Sequence, residues 1–232
     1  MSFKYKTKPY KHQEEALLKS FNRKNYAYFM EMGCGKSKVL IDNITWLYEN
    51  KHIDTAIIIA PKGVYMNWKN SEIPSHLPDD VPHKMYIWKS NANKSEKIIL
   101  EEGVRSRVIL RILLVNVEAF ATAKVKKYLQ AFIHRSNFLL AVDESTTIKN
   151  IKAKRTKEIL KLGQSAKYKR ILTGSPITQS PMDLYSQCYF LDKDLLGFDS
   201  YWSFQGRYAI IRQTRIGNHS FQQIVGFRNL SE

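Results

Sequence analysis

The stretch Phe29-Met30-Glu31-Met32-Gly33-Cys34-Gly35-Lys36-Ser37 decides the fold of this chain. It joins a hydrophobic run at residues 26–30, typical of a strand, to a helical pattern that begins near Lys38. A strand, a glycine-containing turn and a helix in this order are the context in which a phosphate-binding loop occurs. The stretch therefore predicts an α/β fold with a bound phosphate at the end of a strand.

The residue types of this loop suit the phosphates of a nucleotide. Glycines at 33 and 35 let the backbone turn so that its N–H groups face a phosphate, Lys36 can reach the β- and γ-phosphates, and the Ser37 hydroxyl can bind Mg²⁺. The full pattern has glycine where this chain has Met30, so a strand-to-helix turn with a surface lysine is the alternative. The predicted pocket consists of Met32, Gly33, Cys34, Gly35, Lys36 and Ser37.

Composition places further limits on the protein. Its 232 residues, 44% of them hydrophobic, suffice for one large domain or for one domain with an appendage. The formal charge of +16 favours a polyanionic partner, first of all nucleic acid, although a lysine-rich proteome would also explain it. Two cysteines without metal-binding spacing indicate a reducing, cytoplasmic setting. The sequence has neither a signal-peptide pattern nor a long apolar run, and we expect no membrane association.

Hydrophobic patterns predict strands that alternate with helices. Apolar runs at 26–30, 55–60, 112–115 and 138–142 are typical of buried parallel strands, and 170–172 is a plausible fifth. Apolar residues recur at helical spacing after the loop, before the fourth strand and after it. We therefore predict an α/β domain, with an open, mainly parallel sheet covered by helices on both faces and a ligand at the carboxyl ends of the strands.

Two segments depart from this alternation of strands and helices. Residues 71–82 contain three prolines and are predicted to form a loop or insertion. After about Leu196 the alternation stops, and residues 208–215 and 221–227, separated by Gly217-Asn218, predict a C-terminal β-hairpin. We expect residues 1–196 to form the nucleotide-binding domain and residues 197–232 to form an appendage.

A second candidate for chemistry is the acidic pair that ends the fourth apolar run. In a strand, Asp143 and Glu144 would point to opposite faces and do different work. Asp143 is placed to hold Mg²⁺, usually through water, and Glu144 to orient and deprotonate an attacking water. The alternative is a helix N-cap followed by an acid of the first turn. Together with the upstream loop, the pair predicts nucleotide hydrolysis.

These motifs together resemble the first RecA-like lobe of superfamily 2 helicases, and most closely the Swi/Snf-type DNA translocases. The resemblance runs from about Tyr10 to Ala209. It rests on Gln13, residues 31–37, Ile59-Ala60-Pro61 with Asn67-Trp68, residues 143–150 and residues 172–177. The Swi/Snf branch is selected by Ile148-Lys149-Asn150, Phe190-Leu191-Asp192 and Gly206-Arg207-Tyr208-Ala209.

The resemblance implies a role for each matching residue. Gln13 would read the adenine edge and so favour ATP, while Lys36, Asp143 and Glu144 would be the catalytic residues, with Mg²⁺ held by Ser37 and Asp143. The segment Thr173-Gly174-Ser175, together with Thr146, would couple the nucleotide state to the nucleic-acid track.

Nucleic acid would be held at three further positions, Pro61, Lys62 and Asn116. Short polar side chains, lysines and backbone amides at strand ends can bind phosphates without reading sequence. Ordinary solvated loop residues are the alternative for Lys62 and Asn116, and Trp68 is expected to pack in the core.

Two departures from the family pattern affect what we expect. Ser145-Thr146 replaces the common Ala-His, so the histidine that links the acidic box to the coupling segment is absent, although the Thr146 hydroxyl can still donate a hydrogen bond. The family also needs a second RecA-like lobe with arginine fingers, which are worth about 10³ to 10⁵ in rate. No second sheet is predicted before Glu232, so the chain should bind ATP and hydrolyse it poorly unless a second lobe joins it in cis or in trans.

The leading hypothesis is the ATP-binding first lobe of a translocase or helicase that acts on duplex DNA, with RNA as a second possible track. A free-standing basic module that binds DNA or protein and keeps a vestigial nucleotide pocket is one alternative. An unrelated P-loop NTPase, such as a loader, is another. The frequent Lys, Asn and Ile residues suit a bacteriophage or a low-GC bacterium, and we expect the protein in the cytoplasm of a bacterial or phage-infected cell.

Overall fold

The computed structural model describes residues 4–106, 109–216 and 219–231. Its strands are β1 (Asn25–Phe29), β2 (Thr55–Ala60), β3 (His83–Ile87), β4 (Leu110–Asn116), β5 (Phe138–Asp143), β6 (Tyr168–Thr173), β7 (Ala209–Ile216) and β8 (His219–Phe227). Its α-helices are α1 (Lys11–Ser20), α2 (Lys36–Glu49), α3 (Tyr65–Asn67), α4 (Ile73–His76), α5 (Lys94–Arg105), α6 (Ala123–Ile133), α7 (Lys154–Gly163), α8 (Met182–Leu191) and α9 (Tyr201–Tyr208). A π-helical turn covers Trp68–Glu72, and 3₁₀ turns cover Val117–Ala121 and Ser145–Ile148.

Six strands form one parallel sheet in the order β1-β6-β5-β2-β4-β3. Every residue of β2 and of β5 is buried, as expected for central strands whose apolar runs face helices on both sides. The predicted α/β fold with a parallel, helix-covered sheet is confirmed.

The two faces of the sheet carry separate hydrophobic cores. Neighbouring residues of β2 alternate between them, with Ile58 in the core beneath α1, α2 and α4 and Ile57 in the core beneath α5 to α8. None of the helices in the described residues is long and apolar enough to span a membrane.

The strand register aligns the carboxyl ends of five strands along one edge. Phe29 pairs with Thr173, Asp143 pairs with Leu172, and Ala60 pairs with Asn116. The loop after β1, the acidic pair after β5 and the segments after β2, β4 and β6 therefore all leave the sheet at the same edge, which is where parallel α/β sheets bind ligands.

Two strands are longer than their predicted runs, and each contains a fully buried arginine. Arg111 lies in β4 and donates to the carbonyls of Gly103 and Phe132, and Arg170 lies in β6 and donates to the carbonyls of Ser20 and Arg23. A buried charge is tolerated when it is hydrogen-bonded. The predicted limits 112–115 and 170–172 were too short, because β4 also includes Leu110, Arg111 and Asn116, and β6 also includes Tyr168, Lys169 and Thr173.

Other elements correct the sequence-based prediction. Residues 71–82 are not simply a loop, because the π-helical turn runs to Glu72 and α4 follows it directly. The edge strand β3 was missed because it pairs only with β4 and keeps polar residues. Helix α5 was also missed, although Asn93 and Glu96 form a capping box at its start.

The C-terminal hairpin is confirmed as the antiparallel pair of β7 and β8. The predicted turn at Gly217-Asn218 lies outside the described residues. A third hydrophobic cluster includes Tyr185 of α8, Phe204 of α9 and Ala209 of β7, so the hairpin is connected to the main body through α8 and α9.

Candidate nucleotide-binding site

The loop between β1 and α2 adopts a conformation that requires its glycines. Gly33 and Gly35 have φ angles of +79° and +76°, in the left-handed region, and Gly35 is the N-cap of α2. The Lys36 ammonium donates to the carbonyls of Met30 and Glu31, both at 3.0 Å, so it lies over the loop. The loop thus combines left-handed glycines, a lysine and a helix N-terminus, which together favour a phosphate.

Gln13 is buried against this loop. Its side-chain nitrogen donates to the Cys34 carbonyl at 3.1 Å, and its side-chain oxygen accepts from the Tyr10 backbone N–H at 3.0 Å. A Cβ on Gly35 would lie 2.3 Å from the Gln13 nitrogen. Gln13 therefore fixes α1 to the loop, and each amide atom has capacity for one more hydrogen bond. Its contact with adenine stays a prediction.

Asp143 is the last residue of β5, and its carboxylate is held from two sides. The Trp68 indole N–H donates to Oδ2 at 2.9 Å, and the Glu144 backbone N–H donates to Oδ1 at 3.0 Å. Burial raises the pKa of Asp143 above its ordinary value, and the Glu144 charge adds to that rise. The two hydrogen bonds and the Lys36 charge lower the pKa in part.

Glu144 has left the strand. Its φ and ψ are +46° and +61°, a left-handed conformation that is unfavourable for a residue with a side chain. We predicted that both carboxylates lie in a strand and point to opposite faces by alternation. Only Asp143 lies in β5, and the left-handed turn at Glu144 sets the direction of the second carboxylate. Such strained residues cluster at functional sites.

The donor set suits Mg²⁺ held jointly with a nucleotide. In the described part of the chain, no group of three or more His, Cys, Asp or Glu side chains could hold a metal. Ser37 and Asp143 supply one hydroxyl and one carboxylate, and no ion pair to Asp143 occurs among the described side chains. Mg²⁺ typically binds one or two protein oxygens, substrate phosphates and waters. A buried, unpaired carboxylate beside a phosphate loop fits this pattern.

The predicted coupling segment after β6 lies against the phosphate loop. A Cβ on Gly174 would lie 3.4 Å from the Met32 backbone nitrogen and 3.5 Å from the Met30 carbonyl oxygen. Thr173 is buried, and its hydroxyl accepts from the Ser175 N–H at 3.2 Å. The segment is therefore close enough to respond to the loop.

The acidic box reaches the coupling segment through a residue that the sequence did not reveal. The buried Ser145 hydroxyl donates to the Gln187 side-chain oxygen at 2.6 Å, and the Gln187 nitrogen donates to the Pro176 carbonyl at 2.7 Å. Thr146 accepts a hydrogen bond from the Lys149 backbone N–H through its carbonyl oxygen. The contact expected from Thr146 is made by its neighbour Ser145.

The three predicted nucleic-acid residues lie at one edge of the sheet. Pro61 and Lys62 follow β2 and Asn116 ends β4, and the two strands pair at Ala60 and Asn116. Lys62 is exposed. The Asn116 side-chain oxygen caps the following 3₁₀ turn by accepting from the Ala119 N–H at 2.8 Å, so a phosphate contact would use its amide nitrogen.

Residues 17–225 match the model of the SNF2-related domain. The chain belongs to the SNF2-related domain family. This membership excludes the alternative of an unrelated P-loop NTPase, and it makes the chain a lobe of a Swi/Snf-type ATPase core, in a family that binds ATP.

Several curated ATP-dependent helicases and ATPases are similar to most of this chain. A probable ATP-dependent DNA helicase, CHR12 of Arabidopsis thaliana, is 29% identical over 163 residues, which is 69% of this chain and 14% of the relative. The uncharacterized ATP-dependent helicase MG018 of Mycoplasma genitalium is 28% identical over 72% of this chain and 15% of its own length. The chromatin-remodeling ATPase INO80 of Saccharomyces cerevisiae is 29% identical over 75% and 11%. The chain thus spans a small part of each of these relatives.

A solved structure shares the fold. The SWI2/SNF2 ATPase core of Sulfolobus solfataricus in complex with dsDNA matches with a TM-score of 0.70 and 20% sequence identity. The match covers 90% of this chain and 40% of that one. The chain therefore has the fold of part of a SWI2/SNF2 core.

Two residues of this SNF2-related domain could not be assigned to the site from the sequence. Gln187 lies far along the chain in α8, and Trp68 was expected only to pack in the core. Trp68 is indeed buried, yet its N–H also contacts Asp143. The Asn67-Trp68 pair in the family resemblance was the sequence signal that Trp68 matters. Local sequence does not indicate which carboxylate a tryptophan will contact.

Proposed function

We propose that this chain is the first, ATP-binding lobe of a nucleic-acid-dependent translocase that acts on duplex DNA. In this proposal a second RecA-like lobe, in cis or in trans, completes the hydrolytic site. The observation that carries it is the meeting of the phosphate loop, the Asp143-Glu144 pair and the Thr173 segment at one sheet edge. The DNA part is supported by the solved relative, which is described in complex with dsDNA.

Each side chain has a defined task in this proposal. Loop amides and Lys36 bind the phosphates, Gln13 contacts adenine, and Glu144 orients a water and takes its proton. Ser37 and Asp143 would hold Mg²⁺, which neutralises phosphate charge when bound. An arginine of the second lobe would supply further charge stabilisation, so residues 1–232 alone should hydrolyse ATP slowly.

The residues proposed for coupling and for DNA binding also lie at this edge of the sheet. Ser145, in place of Thr146, acts with Gln187 and the segment Thr173-Gly174-Ser175 to transmit the nucleotide state. Pro61, Lys62 and Asn116 hold the DNA backbone. Residues 1–196 form the motor lobe, and residues 197–232 lead towards the second lobe. A bacterial or phage source and a cytoplasmic location are part of the same proposal.

Calorimetry with the Lys36→Ala variant tests the pocket. Wild-type protein should bind ATP in the presence of Mg²⁺, and the variant should show no measurable binding, because it loses the charge that lies over the loop. Lys51→Ala is the matched control. Lys51 is an exposed lysine just after the C-terminal end of α2, whereas Lys36 begins that helix. Equal ATP affinity in wild type and Lys36→Ala would show that the nucleotide pocket is wrongly assigned.

A further inference from the structure

Trp68 and Asp143 form a buried hydrogen bond between two distant parts of the chain. They are separated by 75 positions, and the indole Nε1 lies 2.9 Å from Oδ2 of Asp143. Trp68 is 1% exposed and Asp143 is 7% exposed. Because the Glu144 N–H binds the other carboxylate oxygen, the Asp143 carboxylate has a fixed donor on each side.

This contact is more than generic packing. The indole N–H is donor-only and makes one hydrogen bond, and a bond to a carboxylate is about twice as strong as one to a neutral group. The buried Trp88 offers a contrast, because its Nε1 has no hydrogen-bond partner among the described residues. Trp68 also begins a π-helical turn, a rare element that is frequent at functional sites.

We propose that Trp68 is a positioning residue that holds the Asp143 carboxylate in the orientation in which it binds Mg²⁺. This inference rests on the proposed function, because it assigns Asp143 to the metal. Each carboxylate oxygen still has a lone pair for a metal-bound water or for the metal. Residues that orient a metal ligand by hydrogen bonding contribute to metal affinity without touching the metal.

The same bond connects the metal ligand to the predicted DNA edge. The Pro61 carbonyl accepts from the N–H groups of Val64 and Tyr65, at 2.9 and 3.0 Å. From there α3 leads directly into the π-helical turn that starts at Trp68. A phosphate bound at Pro61 and Lys62 therefore acts on a short helical segment whose tryptophan holds Asp143.

The test compares two substitutions that each remove one indole N–H. Trp68→Phe keeps an aromatic ring but loses the donor to Asp143, and Trp88→Phe loses a donor that has no partner. Binding of a fluorescent ATP analogue is titrated with Mg²⁺, and Mn²⁺ binding is followed by electron paramagnetic resonance in the presence of ATP. For Trp68→Phe we expect metal affinity to fall by about tenfold or more, as is typical when a residue that hydrogen-bonds to a metal ligand is substituted. Analogue binding in EDTA should not change, and Trp88→Phe should match the wild type in every measurement.

A second measurement keeps Trp68 in place, so it does not depend on the folding of Trp68→Phe. The chain is labelled with fluorotryptophan, and the ¹⁹F resonance of Trp68 is assigned by substituting the other tryptophans in turn. Adding Mg²⁺ to the ATP-bound protein should shift the Trp68 resonance and leave the Trp88 resonance in place.

The outcomes separate this inference from the proposed function. If wild-type protein binds no ATP, the proposed function fails, and the inference fails with it. If ATP binds but Trp68→Phe has wild-type metal affinity, or the Trp68 resonance does not shift on addition of Mg²⁺, only the role of Trp68 is refuted.

Discussion

Gly35→Ala is the substitution whose cost can be worked most directly from the structure. Gly35 has a φ of +76°, and a Cβ there would lie 2.3 Å from the Gln13 side-chain nitrogen. A left-handed conformation costs a residue with a Cβ about 1–2 kcal/mol. The Cβ also displaces Gln13, whose hydrogen bonds to Cys34 and Tyr10 are worth about 1 kcal/mol each. The free energy of unfolding should therefore fall by about 3–4 kcal/mol.

Gly33→Ala is the matched control for this substitution. Gly33 has nearly the same φ, +79°, but a Cβ there would meet no atom within 4 Å. It should cost only the backbone strain, about 1–2 kcal/mol. The difference of about 2 kcal/mol between the two variants measures the contact with Gln13.

Urea unfolding followed by circular dichroism gives these free energies, and a double-mutant cycle assigns them. In a Gln13→Ala background the steric clash is gone, so Gly35→Ala should cost no more than Gly33→Ala does. Equal costs of Gly33→Ala and Gly35→Ala in the wild-type background would refute the reasoning, as would an unchanged cost of Gly35→Ala without Gln13.

Four further predictions concern pH, catalysis, DNA and coupling. Burial raises the pKa of Asp42 to about 6 despite the Lys38 hydrogen bond, so the folded state binds more protons than the unfolded state between about pH 4 and 6. The free energy of unfolding should therefore fall by about 3 kcal/mol as pH rises through this window, and Asp42→Asn should remove that slope in urea unfolding at several pH values. In a two-lobed enzyme Glu144→Gln should keep ATP binding and lose about 10²–10⁴ in turnover, and a loss below about tenfold in a steady-state assay would exclude Glu144 as the base. Duplex DNA binding should be independent of sequence and weaken steeply between about 50 and 200 mM salt. Lys62→Ala should lower that salt slope by about one in fluorescence anisotropy, whereas Lys51→Ala should not, and a salt-insensitive affinity would favour the free-standing basic module. Gln187→Leu removes the bonds to Ser145 and Pro176, so DNA stimulation of ATPase should fall in the two-lobed enzyme while ATP affinity stays unchanged, and full stimulation would show that coupling bypasses Gln187.

Local sequence determined most of the architecture. The buried strands β2 and β5 follow from continuous apolar runs, and α2, α6 and α7 follow from helical spacing of apolar residues. The glycines of the phosphate loop were predictable because their left-handed conformation is a property of the residue type. The positions of Asp143, Pro61 and Asn116 at strand ends were predictable because an apolar run stops directly before each of them.

Tertiary structure decided where charges and edges could be tolerated. Arg111 and Arg170 are tolerated in β4 and β6 because carbonyls of other elements accept their hydrogen bonds, and local periodicity does not show which carbonyls these are. The edge strand β3 has a single neighbour, so its pattern lacks the apolar run of a central strand.

The connections of the site were also decided by tertiary structure. Trp68 meets Asp143, and Ser145 meets Gln187, across 75 and 42 positions of the chain. Which donor meets which acceptor depends on how the helices sit on the sheet, whereas periodicity reports only which face a residue occupies. The sequence alone therefore determined a parallel α/β sheet with a phosphate loop and an acidic pair at its edge. The fold alone decided that a tryptophan binds Asp143 and that a glutamine joins Ser145 to the coupling segment, because those bonds form only after the sheet and helices have packed.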